Sequence, residues 1–323
     1  MSYFENTPLK PKSVAQFNSK INEWIDYMPP FYNNIICIIL FPTIAMDALE
    51  KHLAINTNTN KHNLITAILS FMRHRPDAFP TMTVQERNQH RQTWLQLHTA
   101  NDAPIIQRRL ENRPTDNQLK KGGIKLTFDD LVKKRNELPL GSIERLLIAM
   151  YTMIPPVRAD YFATEIISED QAPKEKNYIR RRGPARMECV ITDFKTAKQY
   201  KQITNNFPPE LIAETDASLE KQPRNYLFLN ANGKPHTRGS YILWTGRLLK
   251  RVLGTTFTLV FFRHAFVTNF IFTNNMATIT DAEVKSVSDK MGHSPEMFRA
   301  YKWIHQGATG ELNLEEKSEE EDE

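Results

Sequence analysis

Residues 289–306 read DKMGHSPEMFRAYKWIHQ. Just upstream, Val284, Val287 and Met291 fall on one helical face. Gly292 is the residue type that closes a helix, and Ser294-Pro295 supplies the cap and first position of the next. His293 is therefore predicted to sit in a tight turn between two helices, with its side chain held in a fixed direction. Tyr301 comes eight residues later, two turns into the second predicted helix and almost on the same face as Met297 and Ile304. Read alone, such a tyrosine is far more often a packed or surface residue than a nucleophile.

Working outward, helical periodicity dominates. FRHAFVTNFIF, with Phe266 and Phe270 in register, precedes this stretch, and Tyr241, Trp244, Leu248 and Val252 form a further stripe ending near Gly254. Ser142 precedes IERLLIAMYTMI, whose stripe of Leu146, Met150 and Met153 is terminated by Pro155 and Pro156. Between these helices, MECVITDFKTAKQYKQIT alternates as a β-hairpin does. YLFLNANGKP reads as one more strand leading to an Asn-Gly turn. Further back, SVAQFNSKINEWIDYM, DALEKHLAI, KHNLITAILSFMRHRP and VQERNQHRQTWLQLHTAN are all predicted helices. NRPTDNQLKKGG has the composition of an exposed basic linker. The predicted fold class is mainly α with a small antiparallel β-sheet, in two domains. The predicted segments are an arm over 1–13, a helical domain over 14–112, a linker over 113–124, a second domain over 125–313 and an acidic disordered tail over 314–323.

Composition narrows the partner. The net charge is +5, but residues 314–323 hold seven acids against one lysine, so removing that net −6 leaves +11 on the rest. A body of that sign favours a polyanion, because neutralised phosphates release counterions. Cys37 and Cys189 are the only cysteines, which builds neither a disulfide framework nor a zinc-finger spacing. His90 and His98 show no ligand partners in the sequence, so no metal site is expected. The most apolar run, NNIICIILFPTIAM, is short and broken by Pro42, and residues 1–14 lack a secretory h-region. The expectation is a soluble intracellular protein without membrane contact, in a host-cell nucleus or cytoplasm or in a bacterial cytoplasm.

Four places now combine: PPVR at 155–158, KT at 195–196, RHAFVT at 263–268 and MGHS at 291–294 followed by Tyr301. The order of an arginine, a hairpin lysine, an Arg-His pair opening a helix, a Gly-His turn and a tyrosine resembles the tyrosine recombinase/integrase family. The resemblance covers about residues 125–306. The MGHS form with PPxR and KT resembles recombinases of large DNA viruses and their associated mobile elements. It implies that 125–313 is a catalytic domain and 14–112 a core-binding domain, the two clamping double-stranded DNA, with a homo-tetramer on paired sites. Trp303 would serve as a docking anchor.

The implied chemistry is transfer of a DNA phosphoryl group to Tyr301, leaving a 3′-phosphotyrosyl bond and a free 5′-hydroxyl. Arg158 and Arg263 would bind the non-bridging oxygens, which suit a bidentate, permanently charged donor. Lys195 would protonate the departing oxygen, with Lys198 as fallback, and His293 would position the phosphate. His264 has a supporting place. Phosphodiester energy is kept in the covalent bond, so no cofactor and no metal are implied. Arg180, Arg181, Arg182 and Arg186, read as a loop, and Lys120, Lys121 and Lys125 in the linker are expected to contact DNA phosphates, as is Lys198. One departure stands out: the family usually carries a histidine three residues before the second arginine, and here that position is Val260. Two alternatives stay open, a type IB topoisomerase and an inactive DNA-binding protein of the same fold.

Overall fold

In a computed structural model the described residues are 3–52, 58–121, 125–274 and 279–302, and they divide into two compact units, residues 1–111 and 112–323. Trp303, Ile304 and the acidic tail lie outside the described residues.

The first unit is helical: α1 (Pro11–Tyr27), α2 (Ile35–Leu40), α3 (Pro42–His52), α4 (Asn58–His74) and α5 (Val84–Leu110). Local chemistry starts these helices. Pro11 occupies the first turn of α1, where a missing N–H costs nothing, and Thr83 and Glu86 form a reciprocal capping box on α5. Its core is anchored by Trp24 and Trp94, both fully buried with rings edge to face at 5.4 Å. Each indole N–H finds a backbone carbonyl, Trp24 that of Ala45 and Trp94 that of Ile39, so neither polar tip is left unmet.

Two expectations change here. Residues set apart as an arm are packed: Phe4 is buried against Phe17 and Phe71, and the Tyr3 carbonyl accepts from Arg75. Helix α5 continues nine residues past the expected end at 101, straight through Pro104. Proline removes one helix hydrogen bond, but burial of Ile105 beyond it holds the chain helical.

The second unit contains α6 (Asp116–Leu119), α7 (Phe128–Glu137), α8 (Ile143–Thr152), β1 (Glu165–Ser168), β2 (Asn177–Arg181), β3 (Met187–Ile191), α9 (Ala197–Tyr200), β4 (Ile203–Asn206), α10 (Pro209–Lys221), α11 (Arg238–Leu253), α12 (Leu259–Thr273), α13 (Asp281–Lys290) and α14 (Pro295–Arg299). Helix α8 is its centre, with every residue from Leu146 to Thr152 buried. Ser142 caps it as expected, and Arg145 in its first turn reaches the buried Glu214 of α10 through paired contacts of 2.7–2.9 Å. Part of the expected linker is helical, since α6 falls within it.

The sheet is mixed rather than purely antiparallel. In the order β1-β2-β3-β4, the β3–β4 hairpin is antiparallel as expected, but β1 runs parallel to β2. A parallel neighbour needs the chain to return to its starting end, and strands of four or five residues make that return short enough for the intervening loop. The Glu165 carboxylate, buried on β1, pins that loop by accepting the N–H groups of Lys174 and Glu175 at 2.8 and 3.2 Å. The stretch expected as a further strand and turn, 226–235, is reduced to bridges at Tyr226 and Leu229 around a tight turn with Gly233 at φ 70°.

Candidate active site

The site gathers where α12, the turn between α13 and α14, and the segment after α8 meet. Helix α13 ends at Lys290, and Gly292 follows in the left-handed region at φ 69°. Ser294 caps α14 through the Met297 N–H, with Pro295 in the first turn. The predicted turn around His293 is thus present. Helix α14, however, stops at Arg299, and Tyr301 lies in the turn beyond it rather than within a helix.

Tyr301 is buried, its ring packed with Val267, Ile271, Val284, Met291 and Phe298. The other face of its environment is charged and polar. The Arg263 guanidinium lies 4.8 Å from the ring centre, the His264 ring 4.8 Å and the His293 ring 5.3 Å. The His264 Nδ1–H donates to the Tyr301 carbonyl at 2.8 Å, so the helix that carries Arg263 also holds the tyrosine's main chain. Burial by itself raises the phenol pKa, but the positive charges of Arg263 and Arg158 outweigh it and lower the value below the ordinary one. Both guanidiniums therefore act on the hydroxyl.

Arg263 is fully buried. Its Nη1 donates to the Pro156 carbonyl at 2.8 Å and the Met291 carbonyl at 3.0 Å, while Nε and Nη2 have no hydrogen-bond partner. Those two atoms form the edge that binds a planar or tetrahedral oxyanion in two-point fashion. A buried guanidinium with two donors left over favours an anionic neighbour, and the Tyr301 hydroxyl is the group on which it acts. Arg158 is half-buried, and its N–H donates to Asp160 at 3.1 Å while its carbonyl accepts the Tyr151 hydroxyl at 2.7 Å. Asp160, itself buried, also receives Arg238 at 2.6 Å. The only sign of that support in the sequence is an acid two residues past the arginine.

His293 donates Nδ1–H to the Ser294 carbonyl at 3.0 Å, and its buried Nε2 has no partner. Burial, with Arg263 and then Arg158 adding to it, pushes its pKa down to about 3. His264 is also pushed down to about 3, mainly by burial, with the Tyr301 carbonyl opposing and Arg263 reinforcing. Both imidazoles are neutral at physiological pH. The sign for stability follows: an unfolded histidine takes up protons near 6.5, whereas these two resist them until about 3. Stability is full above about pH 6.5 and is lost as pH falls towards 3, at about 1.4 kcal/mol per pH unit for each group. Urea unfolding between pH 7 and 4 should show this slope, and replacing both histidines with glutamine should flatten it; an unchanged slope would refute the assignment.

Lys195 stands apart from the buried group. It is exposed on the β3–β4 connection. That connection is fastened to the Gly-His turn, however, because the Thr196 hydroxyl donates to the Gly292 carbonyl at 2.7 Å and Phe194 packs over Gly292. A side chain on Gly292 would meet Ile203 Cδ1 at 2.8 Å and the Phe194 ring at 3.2 Å, in a backbone region that disfavours any other residue. Gly292→Ala should therefore cost about 2–4 kcal/mol of stability, read as a lowered urea midpoint. A loss under about 0.5 kcal/mol would mean the hairpin is free to move away from the turn.

The remaining basic residues divide. The arginine run is strand β2 and its hairpin, not a loop. Arg181 pairs with Asp216, and Arg182 with Glu188 at 2.8 Å and Glu169 at 3.5 Å, while Arg180 covers the Tyr178 ring at 5.0 Å with its Nε buried and unpartnered. Arg186, Lys198, Lys120 and Lys125 are exposed and Lys121 is half-buried. Val260, in the first turn of α12, is 39% exposed, which leaves room there for a larger side chain. His98 is corrected: it lies beside His62 and Asp102, so it does have potential ligand partners.

No family model matches the sequence, and no curated protein matches it. Among solved structures, a crystal structure of XerA recombinase aligns over 90% of this chain and 95% of that one, at 12% identity and a TM-score of 0.41. That likeness is too distant to bear on fold or chemistry. No helix among the described residues is long and apolar enough to cross a membrane.

Proposed function

We propose that the chain is a site-specific DNA strand transferase of the tyrosine recombinase type, acting on double-stranded DNA. The observation that carries this reading is a buried phenol made more acidic by two guanidiniums in spite of its burial, beside an arginine edge and an imidazole nitrogen that have no partners. Packing alone has no use for that arrangement, whereas transfer of a phosphoryl group from DNA uses every part of it.

In the proposed reaction the Tyr301 oxygen attacks a backbone phosphorus, the P–O5′ bond breaks, and a 3′-phosphotyrosyl ester forms. Arg158 and the free edge of Arg263 hold the non-bridging oxygens as charge builds on them. Binding of the anionic phosphate offsets the positive field that Arg263 and Arg158 impose on His293, and its Nε2, which has no hydrogen-bond partner, then takes up the phenol proton. Lys195, on its exposed connection, gives a proton to the departing 5′-oxygen, with Lys198 as the alternative donor. Reversal, with a 5′-hydroxyl attacking the ester, rejoins the strand. The exposed cations Arg186, Lys198, Lys120 and Lys125, with Arg180 and Lys121, would hold the backbone electrostatically. The salt-bridged Arg181 and Arg182 would have to leave their acids to do so.

The test is capture of the intermediate: the protein is incubated with nicked duplexes, quenched in denaturant, and examined for a DNA adduct on Tyr301 by peptide mapping. An adduct on that residue is expected. Its absence across a random-sequence duplex pool, with binding retained, would leave an inactive DNA-binding protein, the alternative that Val260 favours.

A further inference from the structure

Helices α4 and α5 of the first unit bring three potential metal ligands together. His98 and Asp102 are four residues apart on α5 and so share a face, and His62 on α4 lies opposite them. One nitrogen or oxygen from each lies within 4.8 Å of those from the other two. His62 Nδ1 is 2.6 Å from Asp102 Oδ1, His98 Nδ1 is 3.4 Å from Oδ2, and the two imidazole rings are 4.6 Å apart. Thr66, one turn along α4 from His62, places its hydroxyl 3.3 Å from His98 Nε2. When the hydroxyl accepts from Nε2–H, His98 is held in the tautomer whose Nδ1 carries the lone pair, the second-sphere arrangement that metal-binding histidines use.

We propose that His62, His98 and Asp102 bind a divalent transition-metal ion of the zinc type, joining α4 to α5. With Nδ1 unprotonated on both imidazoles, two lone pairs and a carboxylate lie within 4.8 Å of one another, and a cation between them satisfies all three. Two imidazoles with one carboxylate suit zinc and its first-row neighbours, not magnesium or calcium, which take oxygen ligands. The side chains are partly exposed, at 36%, 24% and 22%, so an ion has a route in from solvent. Small side-chain rotations bring the three atoms to the spacing of a tetrahedral centre, with water in the fourth position. The ion would join two helices that pack on each other within the first unit, which makes its role structural. The competing arrangement is a metal-free triad in which both histidines donate to Asp102.

Titration of the purified full chain with cobalt(II) separates the two. The metal arrangement gives visible absorption of low-coordinate cobalt saturating at one ion per chain and displaced by zinc. Excess zinc should also raise the thermal midpoint by several degrees. His98→Gln and Asp102→Asn should each weaken binding by at least about 100-fold, while His90→Gln, on the same helix outside the cluster, should leave it unchanged. In case these variants misfold, wild type provides a second readout: zinc should protect His62 and His98 from diethylpyrocarbonate, mapped by mass spectrometry. Absence of saturable binding, binding indifferent to both substitutions, or protection of other histidines only would each overturn the site in favour of the hydrogen-bonded triad.

Discussion

Tyr301→Phe should leave DNA binding within about 0.5 kcal/mol of wild type while strand cleavage falls below about one part in 10⁴. The asymmetry comes from the two halves of the side chain. Its ring fills a cluster with Val267, Ile271 and Phe298, and phenylalanine fills that volume equally well, so fold and DNA surface survive. The hydroxyl is the group whose acidity Arg263 and Arg158 raise, and phenylalanine has no oxygen to take its place as the attacking atom. Binding is checked by fluorescence anisotropy and cleavage by adduct formation on one substrate. Equal loss of both would show that the hydroxyl serves the fold, and the phosphoryl-transfer reading would fail.

Arg263→Lys should lower cleavage by about 10²–10³-fold and also lower stability by about 1–3 kcal/mol. The charge is conserved in this substitution; the planar fork is not. Arg263 spends Nη1 on the Pro156 and Met291 carbonyls and keeps Nε and Nη2 open. An ammonium group can occupy one of these positions but not both, so either the carbonyls lose their donor or the phosphate does. Single-turnover cleavage and urea unfolding read the two losses separately. Full activity in the lysine variant would mean that the open edge is not where the phosphate binds.

Much of the local structure was legible in the sequence because local chemistry sets it. The Ser142 cap, the Gly254 and Gly292 helix ends and the Ser294-Pro295 start each depend on residues within one turn of one another. What escaped depends on partners distant in the chain. Arg181 and Arg182 read as free cations until Asp216, Glu188 and Glu169 are folded against them. The parallel placement of β1 rests on a buried Glu165 holding a return loop, which four residues of strand cannot announce. Asp102 and His62 are forty residues apart and meet only because α4 packs on α5. At the candidate site the residue types were legible. The distribution of free and occupied hydrogen-bonding edges on Arg263 and His293 was not, because it depends on which carbonyls the fold brings within reach.

Arg263 ties together three stretches of chain, joining α12 to the segment after α8 and to the end of α13. A residue with that duty is needed for folding whether or not the proposed cleavage takes place. Its persistence in relatives would therefore be a poor indicator of the proposed activity, and a relative without that activity would be expected to keep Arg263 while position 301 drifts to phenylalanine. The hydroxyl at 301 is the informative character for sorting active from silent members.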